Sequence, residues 1–114
     1  MAARLNLECE QGATFSRILV LKDSTGTVID ITGASADMQI RETIESPTVL
    51  IELSTANGRI VVDGPSGKLT LTISASDTGS LTLNGVYDLK VTYLSGTVDR
   101  ILEGEFVLDL QVTQ

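Results

Sequence analysis

From Leu102 to Val112 the chain alternates almost without a break. Leu102, Gly104, Phe106, Leu108, Leu110 and Val112 hold the even positions, and Glu103, Glu105, Val107, Asp109 and Gln111 lie between them. Successive side chains of a β-strand point to opposite faces, so a period of two buries the first set and wets the second. A strand this long and regular is the backbone of an antiparallel sandwich, and much of the remaining chain repeats the pattern. Gly104 is expected to mark a bulge or bend where the strand crosses from one sheet to the other.

Other segments read the same way. Leu5, Leu7 and Cys9 alternate with Asn6, Glu8 and Glu10 in a first strand. Phe15 to Lys22 is apolar on both faces and is expected to be buried on two sides. Asp23 to Gly26 turns the chain, and Val28 to Ile31 returns as a short strand. Ala36 to Arg41 follows with Ala36, Met38 and Ile40 inward, then a loop from Glu42 to Thr48 and a strand from Val49 to Leu53. Asn57-Gly58 is a turn signal. Arg59 to Val62 and Lys68 to Ile73 form a hairpin. Ser74 or Ser76 is placed to cap one helical turn. Tyr87, Leu89, Val91 and Tyr93 alternate with polar residues, and the final strand starts near Thr97. The result is an all-β chain of about 7–9 strands, with turn signals at the spacing of a sandwich.

A length of 114 residues suits one domain, taken here as residues 1–114. Hydrophobic residues make up 42% of the chain, which is incompatible with disorder. The core they predict is aliphatic, with two Phe, two Tyr and no Trp. The net charge of −7 repels phosphate backbones and anionic membranes, so neither nucleic acid nor a membrane is an expected partner. Met1-Ala2-Ala3-Arg4 runs straight into strand-like sequence, so no secretory leader is expected. No apolar run has the length that crosses a bilayer. Cys9 is the lone cysteine and is expected to act as a small core hydrophobe.

The chain contains no His, which removes the commonest general base and zinc ligand. No phosphate-cradling glycine loop, Cys-x-x-Cys pair or EF-hand loop is present. Glu8 with Glu10, and Glu103 with Glu105, share strand faces as any exposed strand would show. Asp63 and Asp77 read as turn and cap residues. No catalytic residue, cofactor, metal or small-molecule substrate is expected. Arg41 and Arg100 sit within strands beside Glu42 and Asp99, where cross-strand ion pairing is the plain reading and docking to a partner the sharper one. Sheet edges offer unpaired backbone groups to another chain. The first strand near Leu5 or the strand from Leu102 to Val112 is the expected inter-subunit edge. Leu5, Leu7, Arg41 and Arg100 are thus the candidate interface residues. On that reading, Leu7→Pro blocks assembly before it unfolds the domain.

Gln11-Gly12-Ala13-Thr14-Phe15, Asp30-Ile31-Thr32-Gly33, Met38-Gln39-Ile40-Arg41, Gly85-Val86-Tyr87-Asp88-Leu89 and Leu102-Glu103-Gly104 occur in that order. With Asn57-Gly58-Arg59-Ile60 and Gly67-Lys68-Leu69 between them, the chain resembles small structural proteins of tailed bacteriophages and prophages. It is similar to the immunoglobulin-like N-terminal module of phage baseplate upper proteins. The resemblance implies an antiparallel immunoglobulin-like β-sandwich in a virion, assembled in the host cytoplasm. It implies a tail or baseplate connector whose partners are other phage structural proteins and copies of itself. A capsid decoration or cement protein is the alternative. A carbohydrate-binding module is a second, disfavoured because only Tyr87 and Tyr93 could stack on a sugar and both read as core.

Overall fold

The computed structural model describes residues 3–112. Nine strands and one short helix are seen among them: β1 (Ala3–Arg4), β2 (Leu7–Glu10), β3 (Phe15–Val20), β4 (Ser35–Arg41), β5 (Val49–Ser54), β6 (Ile60–Asp63), β7 (Lys68–Ile73), α1 (Ala75–Gly79), β8 (Gly85–Thr92) and β9 (Val98–Asp109). They form two sheets. The larger has the order β1-β9-β8-β4-β5, with β2 continuing β1 alongside β9, and the smaller has the order β3-β7-β6.

The inward faces follow the predicted parity. Ala36, Met38 and Ile40 of β4, Tyr87, Leu89 and Val91 of β8, and Phe106 and Leu108 of β9 meet Leu69, Leu71 and Ile73 of β7. Burying these aliphatic faces contributes about 1.5–3 kcal/mol per side chain, offset by the entropy of ordering the chain. Phe15 and Phe106 join the layers edge to face, their ring centroids 5.8 Å apart. Cys9 lies in the core, where burial, and then the charge of Glu10, push its thiol pKa up. The thiol is therefore a poor nucleophile.

Several expectations need correction. The sandwich is not purely antiparallel, because β1 and β2 run parallel to β9. The last strand is not an edge either; β9 lies between β8 and the first strands and stays within one sheet throughout. The extra residue in β9 is Ile101 and not Gly104: Arg100 faces Lys90 and Leu102 faces Leu89, leaving Ile101 between them. Val28 to Ile31 does not form a strand. It makes a single bridge, Val28 to Lys22, and is tied down by Ile29 N–H to the Leu21 carbonyl and Ile31 N–H to the Gly64 carbonyl. β3 is a sheet edge with one exposed face, not a strand buried on both sides.

Gly104 has a different task. It faces Tyr87 across the β8–β9 ladder, and a Cβ at Gly104 would collide with the Leu5 carbonyl oxygen. The missing side chain opens a path for the Tyr87 hydroxyl, which donates to that same carbonyl at 2.5 Å. Leu5 and Asn6 form the break between β1 and β2, and the Asn6 Oδ1 accepts from Glu105 N–H at 3.0 Å. An aromatic ring laid across a glycine thus holds the first strand against the sheet.

Candidate interaction surface

The predicted interface residues fall in two places. Leu5 and Leu7 lie on the edge of the larger sheet, but their side chains point inward. Leu7 is 1% exposed and paired with Phe106, and Leu5 packs half-buried against the core. Leu7→Pro would therefore strike the core as well as the edge, so it cannot separate assembly from folding.

Arg41 and Arg100 lie on the outer face of the larger sheet and border one open groove of about 320 Å³. Arg4 and Lys90 join them, so four of the chain's eight cations line it, with Asp88, Glu103 and Glu105 among them. The cross-strand ion pairing expected of both is made by Arg100, to Asp88, and not by Arg41 among the described residues. Arg41 donates to the Ser46 carbonyl at 2.6 Å and to Gln39 Oε1 at 2.8 Å, pinning the loop that follows β4. Arg100 lies 3.8 Å from Asp88 across the ladder and 3.7 Å from Glu103 on its own strand. The second contact exists because the bulge at Ile101 resets the alternation, which puts residues three apart on one face. Both pairs are exposed and wide, and carry little energetic weight.

The smaller sheet turns a different face to solvent. Ile18 is 61% exposed, Val61 59% and Val20 43%. Ile18, Thr70 and Val61 lie in one row across β3, β7 and β6. The next row, Val20-Lys68-Asp63, brings charge. β3 pairs with β7 on one side and with nothing on its other side among the described residues. Behind its lower half, between the two sheets, a cleft of about 380 Å³ is walled by Leu5, Leu19, Leu21, Ile29, Tyr93 and Leu102, with Lys22 and Asp99 also lining it.

Tyr87 and Tyr93 do not offer a sugar platform. Tyr87 is buried, and Tyr93 packs half-buried against the core. Burial pushes the Tyr87 phenol up to about 12, against the opposing pull of Arg17 and Arg4. Burial, then Asp99, raises Tyr93 as well. No cluster of three or more metal-ligating side chains is found among the described residues. Asp77 is held by Arg59 at 2.8 Å, and Asp63 closes the β6–β7 ladder opposite Lys68. No helix among the described residues is long and apolar enough to cross a membrane.

Sequence reasoning missed Ile18, Val20 and Val61 as surface residues. Their signal was present in β3, where both faces are apolar. Neither a family model nor a curated protein matches this chain.

Proposed function

We propose that the chain is a structural protein of a tailed-bacteriophage virion, a connector in the tail or baseplate that joins larger proteins and copies of itself. The observation that carries this reading is the open β3 side, an edge unpaired among the described residues with exposed Ile18 and Val20. Unpaired strand edges recruit another chain unless something covers them. The resemblance in order and spacing of the seven segments supplies the virion context.

The immunoglobulin-like part of the reading draws support from topology. With β3, β7 and β6 as strands B, E and D, and β5, β4, β8 and β9 as C′, C, F and G, the order of each sheet fits that arrangement. The conserved-type disulfide and Trp of antibody domains have no counterpart in a chain with one Cys and no Trp.

The test is quantitative mass spectrometry of purified particles from a host that carries the gene. A fixed small stoichiometry, at multiples of three, six or twelve per particle, supports the tail reading. Hundreds of copies would move the protein to the capsid surface. Absence from particles overturns the proposal.

A further inference from the structure

Taking the β3 side as an assembly surface, as above, we infer that its occupant is a second copy of this chain, paired β3 to β3 in antiparallel fashion about a two-fold axis through Ile18. The hydrogen-bond phase of the small sheet dictates this register. Thr72 N–H donates to the Arg59 carbonyl, so the even residues of β7 bond toward β6. The odd residues of β7 therefore bond toward β3, as Leu21 N–H to the Gly67 carbonyl also requires. Through the register Phe15 to Ile73, Arg17 to Leu71 and Leu19 to Leu69, it is Phe15, Arg17 and Leu19 that bond to β7. The N–H and C=O groups of Ser16, Ile18 and Val20 point away from the sheet.

An antiparallel copy that sets Ile18 against Ile18 also sets Ser16 against Val20. Every outward group then finds a complementary one, giving about six hydrogen bonds. Other even registers use fewer of them, and odd registers mismatch donors and acceptors. Strand β3 contains no Pro, Gly or Lys to discourage such pairing.

Charge complementarity agrees. On the inward side Arg17 falls opposite the second copy's Leu19, and on the outward side Lys22 falls opposite Thr14, so no cation meets a cation. Leu19 is a wall of the cleft that also holds Asp99. Neither Arg17 nor Asp99 has an ion-pair partner among the described residues, and the register brings the one to the mouth of the other's cleft. On the outward side, Ile18 meets Ile18 to join two aliphatic rows into one. Closed isologous pairing of this kind is the commonest route to symmetric oligomers. A strand of this length spans about 20 Å. An interface of one strand pair is small beside the roughly 1,200 Å² of a standard one, so the dimer is expected to be a weak one.

The test is sedimentation and amide exchange of the whole chain from 10 µM to 1 mM. The expected result is a concentration-dependent dimer. In it the Ser16, Ile18 and Val20 amides slow by about tenfold while Arg17 and Leu19 do not change. Ile18→Lys, at an exposed position, is expected to stay folded and monomeric at 1 mM, as is Ile18→Glu. An equimolar mixture of the two restores the dimer, because only residue 18 faces residue 18. A wild-type monomer at 1 mM, a dimer that survives Ile18→Lys, or a mixture that stays monomeric overturns the inference. The virion reading is judged separately, by incorporation of the wild-type chain into particles.

Discussion

The two open sides of the sandwich are finished differently. On the side where β5 passes to β6, a dense polar seam closes the gap. Asn57 Oδ1 accepts from the N–H groups of Ser54 and Arg59, each at 3.0 Å, and its Nδ2 donates to the Glu52 carbonyl at 2.9 Å. Arg59 donates to the same carbonyl at 2.8 Å and reaches Asp77 in α1. On the side of β1, β2 and β3, the closing contacts sit at the strand break and near the Gln11 turn. Tyr87 grips Leu5, Asn6 takes Glu105, and Gln11 bridges the Leu81 carbonyl and Gln111 N–H. Between them an apolar cleft stays open beside a bare strand. The first side is sealed mostly by neighbours in sequence, with Asp77 the one distant member, the second by residues that meet through the tertiary fold. The first side has its polar groups turned onto each other, whereas the second leaves the outward backbone groups of β3 without a strand partner among the described residues.

The open side should be the easier to break. Gly104→Ala forces a methyl group into the Leu5 carbonyl, displaces β1 and disrupts the Tyr87 bond. A loss of about 3 kcal/mol is expected in urea unfolding, with little change in far-UV dichroism of the folded protein. On the sealed side, Asn57→Ala removes the group that organises the turn, for an expected loss of about 2 kcal/mol. A larger loss from Asn57→Ala than from Gly104→Ala would reverse the ranking of the two sides.

Tyr87→Phe isolates the clasp and is expected to remove about 1–2 kcal/mol by leaving the Leu5 carbonyl without its donor. It also carries a pH signature. The folded phenol is raised to about 12, above its ordinary value near 10. Its contribution is therefore complete below pH 10 and is lost as pH rises through 12. Thermal unfolding at pH 9 and pH 11.5 should show this loss in the wild type and a shallower one in Tyr87→Phe.

The smallest effect belongs to Asp77→Asn on the sealed side. The Arg59 guanidinium, then Ser74, hold the Asp77 carboxyl below its usual range. A depressed carboxylate stabilises the fold above its unfolded pKa and ceases to do so as pH falls through the folded one. The variant should approach the wild type as pH falls below the ordinary carboxylate range and differ slightly at pH 7, with the difference shrinking in 1 M salt.

What was legible in the sequence was parity. Alternation in β4, β7 and β8 identified their buried residues, Asn57-Gly58 marked its turn with Gly58 at φ 80°, and Ser74 proved to be the cap, accepting from Asp77 N–H at 3.2 Å. What parity cannot convey is which strand lies alongside or what covers the second face. The first strand was placed at an edge, yet its parallel partner was not foreseen, because a period of two is the same in either direction. The apolar outer face of β3 suggested a covering layer that the fold does not supply. Gly104 looked like a bend because the ring that crosses it comes from a different strand. Leu5 and Leu7 lie on the edge strand expected of them, with their side chains packed inward as their alternation with Asn6 and Glu8 implies.

The parallel seam between first and last strands also governs when the molecule can be completed. It joins residues 99 and 100 positions apart, as in Glu105 N–H to Asn6 and Gln111 N–H to Gln11. Loops of that size close late and slowly, so β3, β6 and β7 can assemble well before the larger sheet does. Until β9 leaves the ribosome, β1 and β2 have no neighbour and the inward face of β8 has no flank. A nascent chain of this design is at its stickiest just before synthesis of the final strand.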